Sequence, residues 1–264
     1  MKSEGILIRT CHGFDELRAC VEMQVATWGY DPTDVIPLKG FLVAQQIGGQ
    51  VIGAFDLSSN GAGSDGSPGS LIGFAFSLPG VKSPPHGPAW PYLHSHMLAV
   101  KDDYRNRGIG RLLKLEQRRE ALQRGIRHME WTFDPLEIKN AHLNLARLGA
   151  RCHRYTVDFY GHTSSKLQAG LPTDRLFAEW TLDSPEVEAL IAGGGVKSIE
   201  TSRVVGTIEV PAKIYEWKRH APEKAHDVQL KNRGLFQEAF ARGLFVDGFH
   251  VDGAGNGHYQ LVNA

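Results

Sequence analysis

The segment 98–114, Leu-Ala-Val-Lys-Asp-Asp-Tyr-Arg-Asn-Arg-Gly-Ile-Gly-Arg-Leu-Leu-Lys, runs from apolar residues through a basic, glycine-containing turn into a helical pattern. That order suits a pyrophosphate. The first N–H groups of a helix have no partners within it and lie at the positive end of its dipole. Gly108 and Gly110 let the backbone approach an anion, and Arg105, Arg107 and Arg111 add charge, with Asn106 and Ile109 completing the loop. Taken alone, the two glycines are equally compatible with a tight turn, and the arginines with a solvated helix face.

Two other phosphate loops fit poorly. A Walker A loop ends in Gly-Lys-Ser/Thr, whereas Gly110 is followed by Arg111 and Leu112. The dinucleotide fingerprint starts directly after its strand, yet residues 101–107 separate Val100 from Gly108, and Leu113 occupies the third glycine position.

Upstream, His94 and His96 alternate with Ser95 and Met97, which predicts both imidazoles on one face of a strand. Either could take a proton near neutral pH, or could sit as a hydrogen-bonded core residue. Glu130 is a candidate base on the following strand, or a paired carboxylate, while Asp134 before Pro135 reads as a turn cap. Paired cysteines and a His-Glu-x-x-His signature are both lacking, so no metal site is expected.

Arg105-Asn-Arg-Gly108-Ile-Gly110 resembles the Arg/Gln-x-x-Gly-x-Gly/Ala motif of the GNAT superfamily of acyltransferases. The apolar run before it, the Asp103-Tyr104 entry and the helical pattern at 141–149 are similar to that family as well. Residues 131–136 and 140–144 further resemble a poorly characterised subgroup of predicted acyltransferases. The resemblance covers roughly residues 6–160.

It implies an α/β (α+β) fold with a mixed, mostly antiparallel central sheet flanked by helices. It also implies acetyl-CoA or another acyl-CoA, succinyl-CoA included, as donor. The backbone of Leu98, Ala99 and Val100 would pair with the pantetheine arm, residues 105–111 would hold the pyrophosphate, and Asn140 or Asn144 would touch the cofactor from the facing helix. Asn140 and Asn144 read equally well as a cap and a solvated position. Many members place an acidic tyrosine where this chain has Leu145, which leaves Tyr155 and Tyr160 as replacements, or as packing residues. The implied activity is transfer of an acyl group to the amine of a small molecule, an amino acid among them. The alternatives are a peptide or protein acceptor and an acyl-CoA-binding module without catalysis. A homodimer is compatible with the sequence.

The positioning elements follow from hydrophobic periodicity. Strands are expected at 6–11, 50–57, 71–78, 92–100 and 126–133, and helices at 17–28, 38–46, 108–124 and 139–148. The Ser/Gly-rich stretch 58–70 and the Pro-rich stretch 79–91 read as long loops. Beyond residue 160 strands are expected at 175–182, 204–210 and 244–251, with a helix opened by Ser184-Pro185 and another carrying Phe236, Ala239 and Phe240. This gives an acyl-CoA-binding domain at 1–163 and a smaller α/β extension at 164–264.

The 264 residues are 42% hydrophobic, and the 29 basic residues match the 29 acidic ones. No global field recruits nucleic acid or a membrane surface. The odd count of three cysteines points to reduced thiols, and the polar start gives no signal peptide, so a cytoplasmic protein is expected.

Overall fold

A computed structural model describes residues 2–3, 5–58, 69–161 and 163–264. Most of the expected loop at 58–70 therefore lies outside the described residues. The architecture is mixed α/β with a large, mostly antiparallel sheet flanked by helices. The chain divides into two compact units, Met1–Met129 and Glu130–Ala264. The sequence-based boundary at 163/164 falls inside the second.

In the first unit, β1 (Lys2–Ser3) and β2 (Ile6–Thr10) precede α1 (Gly13–Trp28) and α2 (Leu38–Gln46). Then come β3 (Gln50–Asp56), β4 (Ser70–Lys82), β5 (Trp90–Val100) and α3 (Ile109–Gln123). The strands lie in chain order, each antiparallel to the next. Because side chains alternate across a strand, the sheet buries two apolar faces. Leu17, Cys20 and Phe41 of α1 and α2 pack with Phe74, Phe76 and Met97. On the opposite face Ile109 and Leu113 of α3 pack with Ile52, Ile72 and Ala75. Each fully buried Leu, Ile or Phe among them contributes roughly 1.5–3 kcal/mol.

The stretch 79–91 is not one loop. β4 and β5 continue as a hairpin arm through Pro79↔Leu93, Val81↔Pro91 and Lys82↔Trp90, and only residues 83–89 leave the ladder. Prolines lower strand propensity because they donate no ladder hydrogen bond, but aromatic packing compensates. Lys82 Nζ lies 5.1 Å from the Tyr92 ring centre and 5.7 Å from that of Trp90. Gly80 makes room for Tyr92, since a β-carbon there would stand 2.5 Å from the ring.

The second unit holds most of β6 (His128–Phe133), then α4 (Ile138–Ala141), β7 (Tyr155–Thr156), β8 (Arg175–Thr181) and α5 (Pro185–Gly193). It continues with β9 (Gly206–Val210), α6 (Ile214–His220), α7 (Pro222–Ala241), β10 (Leu244–Val251) and β11 (Gly257–Asn263). Its strands run in the orders β6-β8-β7 and β10-β11-β9. The helix expected at 139–148 is one α turn followed by a wider π turn, His142–Arg147. Ala141, Leu145 and Leu148, which helical spacing placed on one apolar face, are all buried, so their spacing could not reveal the widening. Strand β11 and helix α6 were not anticipated.

Three Asp-centred clusters tie this unit together. Lys218 Nζ donates to Asp134 Oδ2 at 2.8 Å and to Glu137 Oε1 at 2.7 Å. Asp134 also accepts from the Leu136 N–H at 2.8 Å, which makes it the turn cap the sequence indicated. Arg233 grips the buried Asp174 with two nitrogens, and Lys197 and Arg151 converge on the buried Asp247.

Candidate functional site

The loop between β5 and α3 is the candidate anion cradle. Gly108 stands at the helix N-cap with φ 76°, and no side chain caps the first turn. Nothing lies within 4 Å of where a β-carbon would be, so the glycine is needed for its left-handed backbone and leaves open space above the helix start. Asn106 is also left-handed, at φ 62°. Ile109 is 1% exposed and anchors the helix start in the core, which leaves its backbone rather than its side chain for a ligand.

The cations around this cradle are placed but not neutralised alike. Arg105 is half exposed and its guanidinium pairs with Asp102 Oδ1 at 2.8 Å. Arg107 is exposed and lies over the Tyr104 ring, 5.1 Å from its centre. Tyr104 in turn donates to Asp56 Oδ2 at 2.5 Å, tying the loop to the end of β3, and that hydrogen bond raises the phenol's pKa. Arg111 is half-buried on the first turn of α3.

On β5, Leu98, Ala99 and Val100 pair with Ala75, Phe74 and Gly73 of β4. That uses one backbone edge of the strand. Ala99 is buried and the other two are half-buried.

A bulge interrupts this ladder just before those residues. Phe76 faces Met97 and Ser77 faces Ser95, so His96 is the extra residue on β5. The expected alternation is therefore wrong at one point. Ser95 turns to α3, where its hydroxyl accepts from Lys114 Nζ at 2.7 Å and donates to Gln117 Oε1 at 3.0 Å. Met97 does not share that side, but packs with Phe76 on the face of α1 and α2. His96 also meets Phe76, edge to face at 6.2 Å between ring centres, and its ring centre is 6.1 Å from that of His94. The two imidazoles do share a face, as expected. Burial, then the neighbouring His94, pushes the His96 pKa down to about 4, so its ring is neutral at pH 7.

Behind the bulge lies a polar network the sequence reading missed. Ser77 Oγ donates to Gln50 Oε1 at 3.0 Å, and Gln50 Nε2 donates to the Gln117 carbonyl at 2.9 Å. Lys114 is buried, which pushes its ammonium pKa well down. The available signal was the presence of Lys114 and Gln117 three residues apart, on the stripe of α3 that also buries Leu113 and Ala121.

The remaining candidates belong to the second unit. Glu130 is buried and 3.6 Å from an Arg154 guanidinium nitrogen. Two residues on, Thr132 shares a hydrogen bond of 2.9 Å with the Tyr160 hydroxyl, so Glu130 and Tyr160 are both associated with one face of β6. Tyr155 instead donates to Asp174 at 2.5 Å; burial first, then that carboxylate, raises its pKa and removes it as an acid. Asn140 is exposed on α4, whereas Asn144 is 4% exposed in the π turn. Leu145 is fully buried. No cluster of three or more His, Cys, Asp or Glu is arranged for a metal among the described residues.

No family model matches the chain, and no curated protein does. Solved structures do. Arabidopsis thaliana NAA60 in complex with acetyl-CoA is 17% identical, with 67% of this chain and 99% of that chain covered and a TM-score of 0.51. The NatC complex bound to Gag peptide and CoA is 13% identical, covering 67% of this chain and 98% of the other, with a TM-score of 0.50. At such identities the likeness concerns fold. Together with the large, mostly antiparallel sheet flanked by helices and the glycine turn that opens α3, it shows that this chain has the fold of the GNAT acyltransferases.

Proposed function

We propose that the chain is an acyl-CoA-dependent N-acyltransferase that moves an acetyl or succinyl group to the amine of a small molecule, an amino acid among them. The observation that carries the reading is the uncapped start of α3, opened by left-handed Gly108 and surrounded by Arg105, Arg107 and Arg111. Those N–H groups and guanidinium groups fit the charge of a pyrophosphate. The backbone of Leu98 to Val100, with Asn140 and Asn144, completes the proposed cofactor contacts.

Acyl-CoA supplies the activated thioester when bound. His96, neutral and raised out of the ladder by the bulge, takes the proton of the attacking nitrogen. A base with a pKa of about 4 cannot deprotonate a free ammonium ion well; it acts once carbon–nitrogen bond formation has made that proton acidic. Burial first, and then the neighbouring His94, keeps the His96 ring uncharged. Glu130 and Tyr160 are the further proton-transfer candidates, with Tyr160 returning a proton to the departing thiolate.

A peptide acceptor is the second reading, favoured by the likeness to a complex that holds a peptide beside CoA. Thiol release from acetyl- and succinyl-CoA, measured over amino acids, simple amines and short peptides, separates these readings. Turnover with a small amine supports the proposal, and turnover with peptides alone moves the acceptor class. Binding of acyl-CoA without thiol release on any amine would make the chain a binding module, as the buried Leu145 in the place of a tyrosine would permit.

A further inference from the structure

The second unit contains a pocket of about 220 Å³, built from the ends of β8 and α5 and the residues before and after them. It lies below the roughly 300–1,000 Å³ of sites for drug-sized ligands, which restricts it to a small metabolite. Arg151 and Lys197 line it together with Glu179 and Glu186, and Val187 and Leu190 add apolar surface.

The two cations are held in place by a carboxylate that cannot use all their donors. Asp247 is the extra residue in a bulge of β10 and is 1% exposed. It accepts from Lys197 Nζ at 2.5 Å and from Arg151 Nε at 2.7 Å, and Arg203 approaches to 3.6 Å. An ammonium has three donors and a guanidinium five. The terminal guanidinium nitrogens of Arg151 and the rest of the Lys197 ammonium have no hydrogen-bond partner among the described residues. Lys197 is largely buried, so those donors are costly to leave unused.

The carboxylates supply the opposite sign. Glu186, in the first turn of α5, is held low in pKa by its own backbone N–H and further by Arg151 and Lys197, so cations and acid share one space. Glu179 also faces the pocket, with His153 Nδ1 at 2.8 Å. A simple anion would meet these two carboxylates, and a simple cation would meet Arg151 and Lys197. A zwitterion satisfies both.

We infer that this pocket is a binding site for a free α-amino acid with a small aliphatic side chain. Its carboxylate takes the spare donors of Arg151 and Lys197, its ammonium faces Glu186 and Glu179, and its side chain rests on Val187 and Leu190. The inference does not depend on acyl transfer.

Calorimetric titration of the full chain in the absence of acyl-CoA, with alanine, valine and leucine as ligands and propionate and propylamine as single-charge controls, tests it. At least one amino acid should bind tenfold or more tighter than either control. Glu186→Gln and Thr181→Trp, which alter exposed lining positions, should each weaken that binding tenfold or more without lowering the melting temperature. Absence of binding by all three amino acids at millimolar concentration, equal binding of propionate, or full affinity in both variants would overturn the site.

Discussion

His96 is the proposed base of the first unit, and its burial has a measurable consequence. Its folded pKa of about 4 lies below the ordinary value of 6.5, so the unfolded chain binds the extra proton between those limits. The contribution of neutral His96 is fully present above pH 6.5 and is lost as pH falls towards 4. Thermal melts across that range should show a shallower loss in His96→Gln than in the parent chain; identical pH slopes would refute the burial argument. In the thiol-release assay the same variant should lose about 100-fold or more in turnover at unchanged acyl-CoA affinity, as expected for a lost general base. That His94 and His96 share a face was legible, because alternation brings i and i+2 together. That Met97 joins them was not, because a bulge is a property of strand pairing and leaves no mark in one strand's sequence.

Elements place these residues, and the clearest case is the entry to α3. Gly108→Ala adds a β-carbon into open space at φ 76°, so its penalty is purely conformational, about 1–2 kcal/mol. A chemical melt of that variant should show this loss, and a loss near zero would mean the turn does not need its left-handed residue. The start and end of α3 could be read from Gly108 and Gly125 around an apolar stripe. The hairpin arm at 79–82 and 90–91 could not, because Pro79 and Pro91 argue locally for a loop and only the cross-strand packing of Lys82, Trp90 and Tyr92 reverses that. Likewise the π turn at 142–147 buries the same residues as the helix that was expected.

At the scale of the whole molecule, equal numbers of acidic and basic residues conceal strong local organisation. Burial sends the paired charges to Asp134, Asp174 and Asp247 in the second unit, and composition gives no hint of this. Lys218→Met would leave Asp134 and Glu137 without their shared cation and should destabilise the chain by about 3–5 kcal/mol in denaturant unfolding. No helix among the described residues is long and apolar enough to cross a membrane.

The fold and the glycine turn that opens α3 were legible because they rest on local periodicity and a short contiguous sequence. Glu130 and Tyr160 were harder to judge, since their surroundings depend on Arg154, Thr132 and Thr173, which come from separate segments.

The most direct measurement is calorimetric titration of the chain with acetyl-CoA, repeated with Arg105→Ala and at raised salt. One molecule should bind per chain, with an affinity about tenfold weaker in the variant through loss of a charge-assisted contact and further weakened by salt. No binding by the parent chain, or binding indifferent to both Arg105 and salt, would contradict it.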